Sequence, residues 1–200
     1  EAVVDVAAIP TVFGSALGEA ATMIELLDQM WRAGEPLSPI KFAMSVHNAA
    51  AGVVSISANN HNFTTSLGAD FDTPAMAILE AAALVASLGV PVAVVCGDDA
   101  VPVDIVPDDK AWSLVAAAFV LAPVPMAPSA PRISGPFRGA ADFAPRAVPG
   151  HIARNPEVGM LDLVDALAGD RASVVAGDRG AGSGWCFAVT PATATAVHSM

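Results

Sequence analysis

The serines and histidines of this chain do not stand at the spacings that nucleophilic or metal chemistry requires. Ser15 lies in the run Gly14-Ser15-Ala16-Leu17-Gly18, where the serine is one place too early for the Gly-x-Ser-x-Gly motif of serine hydrolases. None of the histidines has the spacing of a metal-ligand pair, and we expect a packed, hydrogen-bonded imidazole at His47. The four histidines are His47, His61, His151 and His198.

Two other polar segments could bind ions, but each lacks a defining feature. An acidic cluster follows a predicted strand and carries oxygen ligands suited to a divalent cation, without the spacing of a calcium loop. The glycine-rich run 177–184 (GDRGAGSG) has no lysine placed for phosphate binding and precedes a predicted strand. We therefore predict a solvated acidic loop, a flexible hairpin turn, no metal site and no cofactor. The cluster contains Asp98, Asp99, Asp104, Asp108 and Asp109.

Cys96 and Cys186 both lie in apolar runs and form no Cys-x-x-Cys pair. Such residues are typical of buried, free thiols in a reducing compartment. The N-terminus has no basic region of the kind that begins a signal peptide, so we expect a cytoplasmic location.

The composition excludes several classes of protein. The chain has 200 residues, of which 54% are hydrophobic and 14% charged, and its net charge is −11. Disordered chains are poor in apolar residues, and nucleic-acid binding needs a basic footprint. The apolar runs are interrupted before the roughly 20 residues that a membrane span needs. We expect a single α/β domain with more apolar surface than one chain usually hides, no nucleic-acid partner and no membrane span.

The elements that must position these side chains follow from hydrophobic periodicity and from glycine and proline. The first 122 residues predict an α/β core, and residues 123–200 predict a proline-rich surface excursion with seven prolines, a short helix and two strands. Helices are expected at 19–32, 43–57, 74–88 and 158–167, and strands at 3–13, 63–67, 90–96, 112–122, 172–175 and 185–189.

The helix from Pro74 to Leu88 is the most informative of these elements. Asp72 or Thr73 is placed to cap it, Pro74 suits its first position, and Gly89 suits its end. It is apolar nearly all round, which is typical of a helix buried on every side. Burial on both sides needs two sheets, and one chain of this length should supply about one. We therefore expect the second sheet to come from another chain or from another half of the molecule.

The chain resembles a known family over a stretch that begins before this helix and includes it. The chain resembles the β-ketoacyl-synthase-like N-terminal-domain proteins, which are short relatives of the N-terminal half of ketosynthases. The resemblance runs from about Ile9 to Pro102 and more loosely to Val189. It rests on Val12-Phe13-Gly14-Ser15, Gly18-Glu19, Pro36-Leu37-Ser38-Pro39, Phe42, and the block Ser45-Val46-His47-Asn48-Ala49-Ala50-Ala51-Gly52 with Ser55-Ile56-Ser57. Within that block, Ser45, His47, Asn48 and Gly52 form the structural motif.

The resemblance implies half of a thiolase-like fold, layered αβαβα, in which the helix after the active-site turn is buried between two sheets. It also implies a nucleophilic cysteine at the start of that helix, where the helix N-terminus favours the thiolate. This chain has no cysteine there, and the family position falls at or near Asp72. A carboxylate there is better explained as a helix cap, so no catalytic residue is assigned. The chain is not expected to be an enzyme on its own.

These features favour a non-catalytic subunit that pairs with a complete β-ketoacyl synthase, in the manner of a chain length factor, in polyketide or fatty-acyl synthesis of the aryl polyene type. In the thiolase fold, dimers join through the strand before the active-site turn, which maps onto Phe63, Thr64, Thr65, Ser66 and Leu67. Two alternatives remain: an acyl-transfer or hydrolytic enzyme using Asp72, His47 or Ser66, and a scaffolding homodimer. The basic segment from Arg132 to Arg154 could also contact an acidic acyl carrier protein.

Overall fold

The structure is a computed structural model that describes residues 5, 7–102, 105–125, 127 and 130–192. Within these residues, strands and helices alternate in the first half, and the second half adds a smaller sheet and one longer helix. The strands are β1 (Thr11–Gly14), β2 (Thr64–Leu67), β3 (Val92–Asp98), β4 (Val115–Leu121), β5 (Arg132–Arg138), β6 (Ser173–Ala176) and β7 (Trp185–Thr190). The helices are α1 (Ala20–Asp28), α2 (Pro39–Met44), α3 (Ala49–Ser57), α4 (Thr73–Leu88), α5 (Gly150–Ala153) and α6 (Val158–Leu167).

The larger sheet has the strand order β2-β1-β3-β4, with β1 parallel to both of its neighbours and β4 antiparallel to β3. Side chains alternate between the two faces of a strand. Val12, Val94 and Cys96 therefore share the face towards α4, and all three are fully buried. Phe13 and Val95 point to the opposite face, which α3 partly covers.

The smaller sheet contains the two strands predicted near the C-terminus, β6 and β7, and a third strand from the proline-rich segment, for which the prediction of a surface excursion is wrong at residues 132–138. These residues form β5, which pairs with β7 in the order β5-β7-β6. The sequence Arg-Ile-Ser-Gly-Pro-Phe-Arg does not predict a strand, because Pro136 has no amide hydrogen to donate to a neighbouring strand. It is tolerated because β5 is an edge strand whose register shifts between Ser134 and Phe137.

Of the two sources expected for the second sheet, another chain or another half of the molecule, the structure supports the second. Helix α4 contacts β1 and β3 of the larger sheet and β5 of the smaller one, and α6 contacts β4 on one side and β6 and β7 on the other. Both helices therefore lie between two sheets of the same chain. The core joins Ile78 of α4 to Val94 in the larger sheet and Phe187 in the smaller one, so residues of both predicted segments share it.

Burial of α4 is concentrated in its first half. Ala77, Ile78 and Ala81 are at most 2% exposed, whereas Leu79 and Leu88 are about half exposed. By length and composition alone, the 19-residue segment Asp70–Leu88 could cross a membrane, and a core helix passes the same test. Since the first half of α4 is packed between two sheets, we interpret the segment as a core helix. The helix ends where predicted, at Gly89, which adopts the left-handed conformation.

The single helix predicted over residues 43–57 is two helices. The chain leaves helical geometry at Ser45-Val46-His47-Asn48 and resumes it at Ala49. The break lets His47 turn back towards β1, where its Nε2 lies 2.7 Å from the Ser15 carbonyl oxygen. A tertiary contact therefore interrupts a run of small residues that would otherwise extend as one helix.

Candidate functional site

The start of α4, where the resemblance predicts the position of the family's cysteine, has polar groups that bond to neighbouring residues. Asp72 Oδ1 accepts a hydrogen bond from the Ser183 amide at 2.7 Å. Asp72 occupies the N-cap position of α4, as predicted, although among the described residues its side chain makes no bond to the first turn of the helix. Thr73, which is fully buried, accepts from the Ala69 amide at 2.9 Å and donates to the Asp70 carbonyl at 2.6 Å.

The glycine-rich loop between β6 and β7 is held by a buried carboxylate, in contrast to the flexible turn that the sequence predicted. The Asp178 carboxylate, 5% exposed, accepts from the amides of Gly180 (2.6 Å), Gly182 (3.1 Å) and Gly184 (3.3 Å). A Cβ at Gly182 would lie 2.6 Å from Asp72 Oδ1, so only glycine allows this close approach. The loop is thereby fixed against the start of α4.

The predicted interface strand lies at a free edge of the larger sheet. β2 pairs with β1 only, because it is the first strand in the order β2-β1-β3-β4. The amides of Thr11 and Ser15 donate to the carbonyls of Phe63 and Leu67, at 3.0 and 3.1 Å. In a parallel pair, alternate residues bond to the same neighbour. The backbone groups of Thr64 and Ser66 therefore point to the open edge.

Three residues of the structural motif and three of the predicted interface strand line one groove. The groove lies between α3 and β2 and has a volume of about 550 Å³. Ser55 of α3 and Thr64 of β2 approach to 3.3 Å across it, and the Ser66 hydroxyl is buried without a hydrogen-bond partner. The groove is lined by His47, Asn48, Ala51, Gly52, Ser55, Thr64, Thr65 and Ser66.

The four motif residues have different surroundings. His47 bonds to the loop after β1, and Ser45 Oγ donates to the Phe42 carbonyl at 2.9 Å. Asn48 directly precedes α3 and lines the groove without capping the helix by its side chain. A Cβ at Gly52 would meet no atom within 4 Å. The internal packing of the chain therefore does not require glycine at position 52.

The helix α1 contacts both the helical residues 29–33 that follow it and α2, α2 contacts α3, α3 contacts the edge strand, and all of these helical segments carry exposed apolar side chains. Trp31, Ile40 and Ile56 are 75 to 83% exposed, and Phe63 at the start of the edge is 52% exposed. Monomeric proteins rarely expose large contiguous apolar patches. The other large apolar residues of this surface are Met23, Leu27, Met30, Phe42, Met44, Val46, Val53 and Val54, which are between 38 and 58% exposed.

A cluster of buried polar residues at the end of β3 was missed by sequence reasoning. Asp98 is 3% exposed, and its carboxylate accepts from the Ser15 hydroxyl and from the amides of Ala16 (2.9 Å) and Leu17 (3.1 Å). The prediction of a solvated acidic loop is therefore wrong for this aspartate. Glu157, fully buried, lies beside it. Burial and the Asp98 charge raise the pKa of the Glu157 carboxyl to about 8.

The remaining candidates have structural surroundings. Cys96 and Cys186 are buried and free, as predicted, and burial raises the pKa of both thiols. In the described part of the chain, no group of three or more acidic, histidine or cysteine side chains could hold a metal ion. Two candidates fall at Asp104 and His198, which lie outside the described residues.

The arginines of the basic segment have partners within the chain at three of its four positions. Arg138 stacks 4.0 Å from the Trp185 ring centre. Arg146 pairs with an aspartate, Asp165, at 3.0 Å, and Arg154 donates to a backbone carbonyl at 2.9 Å. Arg132 has no ion pair or side-chain hydrogen bond within the described residues.

The chain is similar to known proteins both in its sequence family and in its fold. A family model described as the N-terminal domain of β-ketoacyl synthase matches residues 4–177. A chain in the structure of the ketosynthase ApeO with its chain length factor ApeC, from Xenorhabdus doucetiae, superposes with a TM-score of 0.64 at 20% identity. That match covers 91% of this chain and 69% of the other.

A second structure, the ishigamide ketosynthase/chain length factor, gives a TM-score of 0.44 at 18% identity and covers 49% of this chain and 28% of the other. No curated protein sequence matches the chain.

Proposed function

The chain belongs to the β-ketoacyl synthase N-terminal domain family, and from this premise we propose that it is a non-catalytic subunit that pairs with a complete ketosynthase. It has the thiolase-like fold, with its central helix between two sheets. In the proposed role, the subunit acts as a chain length factor does, by stabilising the catalytic chain and shaping the site for a growing polyketide or fatty-acyl chain, for example of the aryl polyene type. A cytoplasmic location and contact with an acyl carrier protein remain predictions.

The observation that carries the proposal is the open edge of β2 within an apolar surface. Unpaired strand edges are sites of pairing with another chain unless they are covered or charged. Phe63, Thr64, Thr65, Ser66 and Leu67 include no charge, and exposed Phe63 begins the segment. A partner strand could extend the larger sheet, while the apolar side chains of α1 to α3 would be buried beside it.

The surroundings of Asp72 support the non-catalytic part of the proposal. Its carboxylate is engaged by the Ser183 amide, and Gly182 lies too close for any side chain there. No histidine is bonded to Asp72 in the described part of the chain. A nucleophile needs a base within hydrogen-bond reach or another means of activation, so these contacts favour a structural carboxylate.

The experiment is co-expression with the full-length ketosynthase encoded nearest to this chain in its genome, using a matched pair of variants in the edge strand. The Ser66→Pro variant removes an amide from the open edge and leaves the pairing of β2 with β1 intact. The Ser66→Ala variant removes only the hydroxyl. We expect the wild type and Ser66→Ala to co-elute with the ketosynthase and Ser66→Pro to elute alone, although still folded by circular dichroism.

The Asp72→Asn variant tests the lack of catalysis separately. Asparagine keeps an oxygen that can accept from the Ser183 amide, but it is not a nucleophile. We expect the complex to form and its product and rate to stay within twofold of wild type. Loss of product with an intact complex would show that Asp72 takes part in the chemistry.

A further inference from the structure

Glu157 is a carboxyl group placed where an ionised carboxyl is hard to accommodate. The residue is 0% exposed, and both of its side-chain oxygens are buried without a hydrogen-bond partner in the described structure. Its backbone is fixed, because its amide donates to Asn155 Oδ1 at 2.8 Å. The side-chain amide of Asn155 in turn donates to the Ser113 carbonyl at 2.9 Å and to the Asp98 carbonyl at 3.3 Å. The carboxyl therefore cannot readily turn towards water.

The neighbour of Glu157 is a carboxylate that organises a loop. Asp98 accepts three bonds from the loop between β1 and α1, and Ser15 Oγ in turn accepts from the Gly18 amide at 2.8 Å. The Ser15 carbonyl contacts His47 Nε2. One continuous set of contacts thus joins Glu157, through Asp98 and Ser15, to the motif histidine at the groove.

We propose that Glu157, which keeps its proton beside the Asp98 carboxylate, forms with Asp98 a latch that holds the β1–α1 loop in place, and that loss of the Glu157 proton releases the loop and moves His47. Two carboxylates at adjacent buried positions repel each other strongly, so one of them keeps a proton. With the proton on Glu157, Asp98 remains the charged acceptor that the three loop donors require. When Glu157 loses its proton, the two carboxylates repel each other. This repulsion is relieved if Asp98 moves towards solvent together with the β1–α1 loop.

The elevated pKa of Glu157 places this release near pH 8. Other titratable or charged groups surround the latch, so the experiment must separate their effects from that of Glu157. Three of these groups, Cys96, Asp98 and Asp99, belong to β3 or directly follow it. Glu19 lies in the loop before α1, and His47 lies in the loop before α3. Arg154 lies before the turn that carries Glu157 and is bonded to the Ala111 carbonyl.

The test is a pH titration of the full chain by two-dimensional amide NMR between pH 6 and 9.5. We expect the Ala16 and Leu17 amides, which donate to Asp98, to shift with a midpoint near pH 8. In the Glu157→Gln variant, a neutral side chain of the same shape replaces the carboxyl. We expect these two signals to stay at their low-pH positions across the range.

Three control variants make the result specific. Cys96→Ala removes the thiol beside Glu157, His47→Gln removes the imidazole that contacts the Ser15 carbonyl, and Glu35→Gln removes an exposed carboxyl. All three should keep a transition in the Ala16 and Leu17 signals near pH 8. The latch is refuted if these signals do not move in the wild type, or if the Glu157→Gln variant retains the transition. Because the wild-type titration can refute the latch by itself, the test does not depend on the folding of any variant.

Discussion

Replacement of Glu157 by glutamine should make the protein more stable, and increasingly so as the pH rises. The pKa of this carboxyl is 4.5 when it is exposed and about 8 in the folded chain. Below pH 4.5 the group is neutral in both states and costs nothing. Between pH 4.5 and 8 the unfolded chain releases the proton while the folded chain keeps it, so the free energy of unfolding falls with increasing pH.

The size of the effect follows from the difference between the two pKa values. One pKa unit corresponds to about 1.4 kcal/mol. The carboxyl should therefore reduce the free energy of unfolding by about 3 kcal/mol at pH 7 and by about 5 kcal/mol at pH 8 and above, relative to pH 4.5. Glutamine is neutral at every pH, as the protonated glutamate is. The variant should therefore lack this pH dependence.

The assay is urea unfolding at pH 5, 6, 7, 8 and 9, followed by the fluorescence of the three tryptophans. The difference between Glu157→Gln and the wild type should grow between pH 5 and 8 and then remain constant. Glu35→Gln, which changes an exposed carboxyl, should follow the wild-type curve. Parallel curves for the wild type and Glu157→Gln would refute the elevated pKa, and so would a wild type that gains stability relative to the variant over this range.

Three further predictions concern the groove, a buried ion pair and the thiols. Gly52→Ala should raise the free energy of unfolding by up to about 1 kcal/mol, because alanine favours a helix and meets no atom there. Gly52→Trp, in contrast, should abolish co-elution with the ketosynthase. An unfolded Gly52→Ala variant would contradict the open groove. Arg179→Met should lower the free energy of unfolding in urea by about 3 kcal/mol, since it leaves the Asp162 side chain, 3% exposed, without its two bonds at 2.5 and 2.7 Å. The double variant with Asp162→Leu should recover most of the loss. An unchanged urea midpoint for Arg179→Met would contradict this prediction. Cys96 and Cys186 should resist a thiol reagent at pH 8 in the folded chain and react fully in urea, because both are buried; rapid reaction of two thiols per native chain would contradict their burial.

Those features that depend on local patterns could be predicted from the sequence. The sequence from Pro74 to Gly89 predicted α4 because proline, a continuous apolar run and glycine each have a local structural meaning. The β-branched run near Thr64 likewise predicted β2. The resemblance to the family placed both of them in the correct fold.

Features that depend on contacts between distant residues could not be predicted in this way. β5 was missed because its proline and glycine argue against a strand, and only pairing with β7 makes it one. Without β5, the sequence left open whether the second sheet comes from another chain or from another half of the molecule. The proximity of Asp98 and Glu157 has no local signal, since one ends a strand and the other precedes a distant helix. The break at His47 similarly depends on its contact with Ser15.

The most direct test of the proposed role is native mass spectrometry of this chain purified after co-expression with its neighbouring full-length ketosynthase. The proposal predicts a complex with one copy of each chain, in which the 20.1 kDa chain is required for the ketosynthase to form product of normal length. The result that would contradict it is a free 20.1 kDa chain beside a ketosynthase that forms its own dimer and gives the same product without this chain.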